Sequence, residues 1–440
     1  MTLPPDRGKP AVPRLAVVFA RGAVSPGDLL RSLDGAAELL FVTDGSAHSR
    51  ALRGLFESAG EVVELSGDPA ADAVAVKAFG PDAIVTYCER MLRVTADLAE
   101  ALGLPFHSPD TVHLLTDKHA QRRRLREAGL EAMRFALVTS PAQAREAAVA
   151  VPMPAVVKPV RGEGSRDTFV VDDADSCLAR LTDLLSRPDR TAGGYIVEEY
   201  LVGVPHPHHG DYVSVESVCV DSAVHHVGIT GKLPLLHPFR ETGQFWPSAL
   251  DGAAEAEIAA LTSAALAALG VTRGITHTEI KLTPHGPRVI EVNGRIGGYV
   301  NELYGRALGV DLVIVAARVA LGQPVRLPDG PRPARVHFQH YTQPPLGART
   351  LAAVEGTVRH PRARHRMFTR PGDRLPGGVS SFDLDLLSGD ADTHEQMLEV
   401  VDECAAQLRF TFTGHGAPSQ LSGRDLRRGP RYGAVHGADR

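Results

Sequence analysis

Thr276-His277-Thr278-Glu279-Ile280-Lys281-Leu282, followed after a polar turn by Arg288-Val289-Ile290-Glu291-Val292-Asn293-Gly294-Arg295, puts acids where an ordinary strand pair would avoid them. Ile, Leu and Val alternate with polar residues at the period of two that marks strands, and Thr283-Pro284-His285-Gly286-Pro287 supplies turn chemistry, so the stretch reads as a hairpin. If Leu282 pairs with Arg288, Glu279 faces Glu291. Two carboxylates directly opposite on one sheet face repel, whereas a divalent cation between them converts that repulsion into binding. Asn293, two residues on, shares the face of Glu291. Two readings stay open here: solvent-facing acids on a surface hairpin, or two carboxylates and an amide oxygen holding Mg²⁺, which prefers hard oxygen ligands. Arg295 and Gly297-Gly298 favour the second. A cation just past the strand end, and backbone free to approach a ligand, suit an anionic substrate beside a metal.

The rest of the chain sets outer limits on that reading. At 440 residues it exceeds one ordinary core and suits two or three packed lobes. A hydrophobic content of 43% with 22% charged residues is that of a globular protein, and no apolar run reaches membrane-span length. The start, Met1-Thr2-Leu3-Pro4-Pro5-Asp6-Arg7, lacks the charged region and apolar core of a secretory signal, so a cytoplasmic location is expected. A net charge of −5 gives no basic footprint for nucleic acid, and Arg122-Arg123-Arg124 reads as a solvated helix face. Cys88, Cys177, Cys219 and Cys404 form no C-x-x-C pair and read as reduced structural thiols.

Upstream, Leu15–Ala20, Leu39–Val42 and Ala83–Thr86 read as buried strands separated by helices, the alternation of a parallel α/β sheet. Residues just past such strands face the functional edge of the sheet, which makes Glu89 a candidate for substrate contact. Helices are expected over 94–102 and 115–128. From Ala155 the pattern changes to a hairpin, with Lys158 on its first strand and Gly162-Glu163-Gly164-Ser165 in its loop. Exposed N–H groups of such a loop can wrap phosphate oxygens, and the lysine adds a point charge; alternatively the loop is a plain turn. Tyr195 to Gly203 reads as an apolar strand ending in Glu198-Glu199, and residues 212–220 and 225–229 as an antiparallel pair. Helices are expected over 261–269, 311–321 and 394–408, and Gly- and Arg-rich composition marks 413–440 as a disordered tail.

Taken in order from about Leu15 to Leu408, these pieces resemble the ATP-grasp superfamily, in particular its carboxylate–amine ligases related to bacterial L-amino acid ligases and carnosine synthase. The resemblance implies an α/β (α+β) ATP-grasp fold: an N-terminal Rossmann-like pre-ATP-grasp domain over 1–113, an ATP-grasp domain over 114–325 with a mobile lid over about 135–202, and a C-terminal antiparallel-sheet lobe over 326–412. It implies that Glu279, Glu291 and Asn293 hold Mg²⁺, with Mn²⁺ as a substitute, against the ATP phosphates, and that Arg295 stabilises an acyl phosphate. Thr116-Asp117-Lys118 and Val157-Lys158-Pro159 resemble the two ATP lysine motifs, Gly162-Glu163-Gly164-Ser165 the lid loop, and Glu198-Glu199-Tyr200-Leu201 the hinge whose backbone grips adenine.

One departure stands out. Many relatives place a ribose-binding glutamate after the hinge, whereas here Val204-Pro205-His206-Pro207-His208-His209-Gly210 intervenes, leaving Asp211 as the nearest substitute and Glu216 as a poorer one. The implied activity is ATP-dependent amide formation from a small carboxylate and an amine. A bicarbonate-using carboxylase or a non-catalytic ATP-binding protein are the alternatives, and a homodimer is the family expectation. For substrate contact the candidates are Lys232, Arg240 and Glu241 in a Pro- and Gly-rich stretch, with Arg240 suited to a carboxylate and Glu241 to an ammonium. Beside the metal acids, His277, Gly297 and Gly298 complete the set.

Overall fold

A computed structural model describes residues 12–188, 190–191, 193–327, 334–376, 379–414 and 416–429. The Pro-rich lead-in through residue 11 and residues 430–440 of the expected tail lie outside them.

Four short strands, β1 (Arg14–Phe19), β2 (Glu38–Thr43), β3 (Glu61–Glu64) and β4 (Ala83–Thr86), pair in parallel in the order β3-β2-β1-β4. The Val, Leu and Ile side chains of β1, β2 and β4 are buried, as a parallel sheet covered on both faces requires. The sequence pattern passes over β3, whose Glu61-Val62-Val63-Glu64 lies at the sheet edge and is only half apolar. Helices Val300–Leu308 and Leu312–Ala320, from much later in the chain, share one hydrophobic core with this sheet. Tyr87 Oη donates to the Val313 carbonyl at 2.9 Å across that seam. The loop after β4 is thereby brought to the end of the decisive hairpin.

Strands β5 (Phe135–Val138), β6 (Ala155–Pro159), β7 (Phe169–Val171) and β8 (Tyr195–Glu199) form a separate antiparallel sheet in the order β5-β8-β6-β7. Helices Pro141–Ala150 and Ala174–Ser186 pack on it around Cys177, Leu181 and Leu184. The third unit is built on β9 (Tyr212–Val220), β10 (Ala223–Lys232), β11 (Gly243–Trp246), β12 (Gly274–Thr283), β13 (Gly286–Asn293) and β14 (Val336–His340). With β16 (Ala363–Met367) and β17 (Asp385–Ala391) they make an eight-stranded sheet, ordered β13-β12-β9-β10-β11-β14-β17-β16. Strands β15 (Thr350–Glu355), β18 (Arg409–Gly414) and β19 (Gly416–Ser422) form a small sheet beside it.

Two sequence expectations are corrected here. The helix expected over 115–128 is two helices, Pro109–Thr116 and Lys118–Glu127, because Asp117 adopts an extended conformation and its carboxylate accepts from Ala120 N at 3.0 Å as an N-cap. Lys118 consequently opens a helix instead of sitting inside one. The tail expected from residue 413 is ordered through residues 416–429: β19 pairs with β18, and helix Gly423–Arg427 is held by a Ser422–Asp425 capping box and by buried Leu426. Composition misses this because the segment is poor in apolar residues, yet Leu421 and Leu426 pack into the core of the small sheet.

Candidate active site

The hairpin forms, but not by the simplest register. At the turn Leu282 pairs with Pro287 and Lys281 with Arg288, one residue away from the expected pairing. A β-bulge between Glu279 and Ile280 then leaves Ile290 unmatched and shifts the ladder, so that Glu279 faces Glu291 and His277 faces Asn293. The acids meet as expected because the bulge repairs the register.

Strand β13 lies at the edge of its sheet, and helix Lys118–Glu127 covers that edge. The Gln121 amide acts as a surrogate strand: its Nε2 donates to the Val292 carbonyl and its Oε1 accepts from Val292 N, both at 2.9 Å. Arg122 donates to the Val289 and Ile290 carbonyls, each at 2.5 Å, satisfying the groups that the bulge leaves unpaired. Its guanidinium is buried, pairing with Glu198 at 2.8 Å and Glu131 at 3.2 Å, while Arg288 also meets Glu131. The reading of Arg122-Arg123-Arg124 as a solvated face is therefore corrected for Arg122. It lies four residues beyond Lys118, on the same helix face, and that spacing is the signal the run of three arginines hid.

Lys118 Nζ sits 2.8 Å from Glu291 Oε1 and donates to the Gly162 carbonyl at 2.9 Å, joining the hairpin to the lid loop. Lys158 Nζ lies 2.7 Å from Glu198 Oε2. Burial alone would raise the Glu198 carboxyl, but Arg122 and Lys158 overcome it and hold the group at about 2. On the other side of the hairpin, His277 is sandwiched between fully buried Glu216, which contacts Nδ1, and Glu279, 3.5 Å from Nε2. Burial opposes a charge on His277, yet Glu216 and then Glu279 outweigh it and push it up to about 9. Glu279 is held well below the usual carboxylate range, His277 overcoming its burial.

Glu216 also accepts from Gly297 N at 3.3 Å. A Cβ on Gly297 would stand 2.5 Å from His277 Nδ1, closer than real contacts allow. The Gly297→Ala variant is expected to lose about 1–3 kcal/mol from this overpacking and to lose turnover with it. Denaturant melts and a rate assay check both.

Arg295 lies past the strand end with Nε 3.3 Å from Glu89 Oε2, and its Nη1 donates to the Ile296 carbonyl at 3.0 Å. Burial pushes the Glu89 carboxyl up to about 7 against the pull of Arg295.

One cleft of about 1110 Å³ of free space, its open mouth included, gathers most of the candidates. The hairpin contributes Glu279, Glu291, Asn293 and Arg295; Lys118 and Lys158 enter from the covering helix and from β6. Gly162, Glu163, Gly164 and Ser165 roof it, and Glu198, Glu199, Tyr200 and Leu201 form the far wall with Met133, Val156 and Ile290. The loop is clasped down: Ser165 Oγ donates to the Phe239 carbonyl at 2.8 Å, Ser381 N to the Gly164 carbonyl at 2.9 Å, and Arg90 Nε lies 3.3 Å from Glu163. At the hinge, Glu199 N and Tyr200 N already donate to the Arg134 and Pro154 carbonyls at 2.9 and 3.1 Å. Leu201 N, among the described residues, has no such backbone partner.

Other candidates fall elsewhere. Arg240 does not face the cleft: it donates to the His237 and Pro344 carbonyls at 3.1 and 2.5 Å and lines a separate small pocket beside Pro344 and Arg349, so it cannot clamp a carboxylate in the cleft. Lys232 is buried against Gln244 Oε1 at 3.0 Å, behind the Tyr212 ring. Gly298 uses its carbonyl to accept from Gln244 Nε2 at 2.9 Å. Asp211 pairs with Lys281 at 2.6 Å and packs against Gly203, at the cleft's margin. Glu241 does line the cleft. The three-histidine loop after the hinge stacks His206 on His209, and no metal-holding group of His, Cys, Asp and Glu is found among the described residues.

Residues 116–299 match the ATP-grasp domain family. The hairpin, both lysines, the lid loop and the hinge all fall inside the matched stretch. Over 271 residues the chain is 32% identical to carnosine synthase 1 of Gallus gallus, covering 58% of this chain and 28% of that protein. It is 27% identical over 271 residues to alanine–anticapsin ligase of Bacillus subtilis strain 168, covering 57% of each. Both relatives are therefore matched over well under two thirds of their length. Among solved structures, the L-amino acid ligase of Bacillus licheniformis superposes with a TM-score of 0.72 over 91% of this chain and 99% of that one, at 22% identity, which establishes a shared ATP-grasp fold. No helix among the described residues is long and apolar enough to cross a membrane.

Proposed function

We propose that the chain is an ATP-dependent carboxylate–amine ligase that forms an amide or peptide bond between small molecules and releases ADP and phosphate. The observation that carries this reading is the pairing of Glu279 with Glu291 beside Asn293, reached through a bulge and faced by Lys118 and Arg295 in one cleft. Pure nucleotide binding has no need of an arginine placed beyond the metal acids.

The donor set fits Mg²⁺, with Mn²⁺ as a substitute: two carboxylates and an amide oxygen on neighbouring strands are hard ligands, and repulsion between the acids is relieved by a cation. Glu279, Glu291 and Asn293 would hold it, and the ion would neutralise charge on the ATP phosphates. Lys118 and Lys158 add fixed positive charge there, and the lid loop excludes water from above. The free Leu201 N–H would hold the purine edge, with Met133, Val156 and Ile290 as its apolar bed.

A carboxylate resists amines because its leaving group is poor. Phosphorylating one of its oxygens makes an acyl phosphate; an amine then attacks the carbonyl carbon, and phosphate departs with the C–O electrons. Arg295, permanently charged, faces the charge that develops on the acyl phosphate. The relatives' names point to amino acid substrates, and we extend that class to this chain.

A screen of ATP-dependent phosphate release over pairs of amino acids and peptides, with products weighed by mass spectrometry, tests the reading. ADP and amide formed together are the expected result; ATP binding without turnover for any pair contradicts it. In the same assay Lys118→Ala is expected to weaken ATP binding about tenfold or more, the size of one lost charge-assisted contact, by calorimetry.

A further inference from the structure

Glu241 differs from the other acids of the cleft. Glu163, Glu198, Glu279 and Glu291 each meet a basic side chain and Glu199 accepts from Arg134 N at 3.1 Å, whereas the Glu241 carboxylate has neither kind of partner among the described residues. Its N–H donates to Ser381 Oγ at 3.2 Å, which draws the segment ending at Asp383 alongside. Asp383 accepts from Gln343 Nε2 at 2.7 Å and from the Tyr299 hydroxyl. Burial pushes its carboxyl up to about 6 despite the Gln343 bond, and the charge of Glu241 adds to the push.

A separate observation points to a missing ligand. Tyr212 lines the cleft, is only 3% exposed, and its hydroxyl has no hydrogen-bond partner among the described residues. Nearby, the Tyr299 and Tyr341 rings lie 5.1 Å apart. Two mutually repelling carboxylates, an unspent hydroxyl and aromatic faces together suit a small cation with N–H donors. Ser381 ties this place to the lid, since its own N–H donates to the Gly164 carbonyl at 2.9 Å.

Resting on the ligase reading above, we propose that Glu241 and Asp383, with the Tyr212 hydroxyl and the Tyr299 and Tyr341 rings, seat the ammonium group of the amine substrate. The ligand class is a primary alkylammonium, as at the amino group of an amino acid or peptide. One ammonium proton passes to the seat's carboxylate, freeing the nitrogen lone pair for the C–N bond. A second leaves with the departing phosphate, and the third remains in the amide.

The test gives the full chain MgATP, each of the twenty protein amino acids as the acid, and either the same amino acids or hydroxylamine as the nucleophile. Hydroxylamine is neutral at neutral pH and needs no ammonium seat. In Glu241→Gln and in Asp383→Asn the ratio of amide to hydroxamate is expected to fall about tenfold or more, the size of a lost charge-assisted hydrogen bond, and Glu241→Asp is expected to recover most of it. An unchanged ratio overturns the seat and leaves the ligase reading standing. Equal loss of both products in variants that melt like wild type also overturns the seat. Hydroxamate from wild type with no amide from any amino acid overturns the acceptor class, and neither product overturns both readings.

Discussion

Arg295→Ala lowers the rate of amide formation by about a hundred- to a thousandfold, the loss typical of removing one group that stabilises transition-state charge, while affinity for MgATP stays near that of wild type. The guanidinium lies past the metal acids and is fixed from two sides, by Glu89 at 3.3 Å and by the Ile296 carbonyl at 3.0 Å. A cation so held costs little reorganisation when charge develops. In the proposed reading nucleotide binding rests on different groups: Lys118, Lys158, the loop 162–165 and residues 198–201. Lysine at 295 restores only part of the rate, because a point charge on a flexible stem does not reproduce the planar fork. Steady-state turnover and calorimetric ATP titration separate the two effects, and full turnover by the alanine variant excludes the assignment.

Arg122→Ala lowers the stability of the fold by about 3–5 kcal/mol, the cost of leaving buried charges without their partner. Glu198 and Glu131 would both lose a buried cation, and the Val289 and Ile290 carbonyls would lose their donor. The damage reaches function because those carbonyls flank the bulge that sets Glu291 opposite Glu279. The network also predicts a pH dependence. Glu198 is held at about 2 in the folded protein against a usual value of 4.5. Its folded value is depressed, so its stabilisation is fully present above pH 4.5 and is lost as pH falls toward about 2. Chemical denaturation across that range shows the slope, and Glu198→Gln reduces it.

What the sequence made legible was local chemistry with a short period. Alternation marks β12 and β13, apolar runs mark β1, β2 and β4, and the glycines after Lys158 mark the loop between β6 and β7. The bulge at Ile290 was invisible because nothing in Val289-Ile290-Glu291 distinguishes a bulged residue from a paired one; the carbonyls that reveal it are satisfied by Arg122, 168 residues away from Ile290 in sequence. Burial of Arg122 was hidden for the same reason, since an arginine reads as solvated until its acids are located in space. Sequence alone offers Glu216 as no more than a poor ribose ligand, whereas the pairing of β9 with β12 sets it directly beside His277. Arg240 shows the opposite failure. Its loop composition was right for a substrate clamp, but the fold turns its guanidinium onto backbone carbonyls. Asp383 carries no motif at all, and its place beside Glu241 follows from bonds to Gln343 and Tyr299, residues distant in sequence.

The central claim is that this cleft phosphorylates a carboxylate before an amine displaces the phosphate. Oxygen tracing tests it most directly. With the acid substrate labelled with ¹⁸O in its carboxylate and MgATP unlabelled, the account predicts that each phosphate released alongside amide carries one ¹⁸O atom from the carboxylate. Phosphate released with amide but free of label would contradict it.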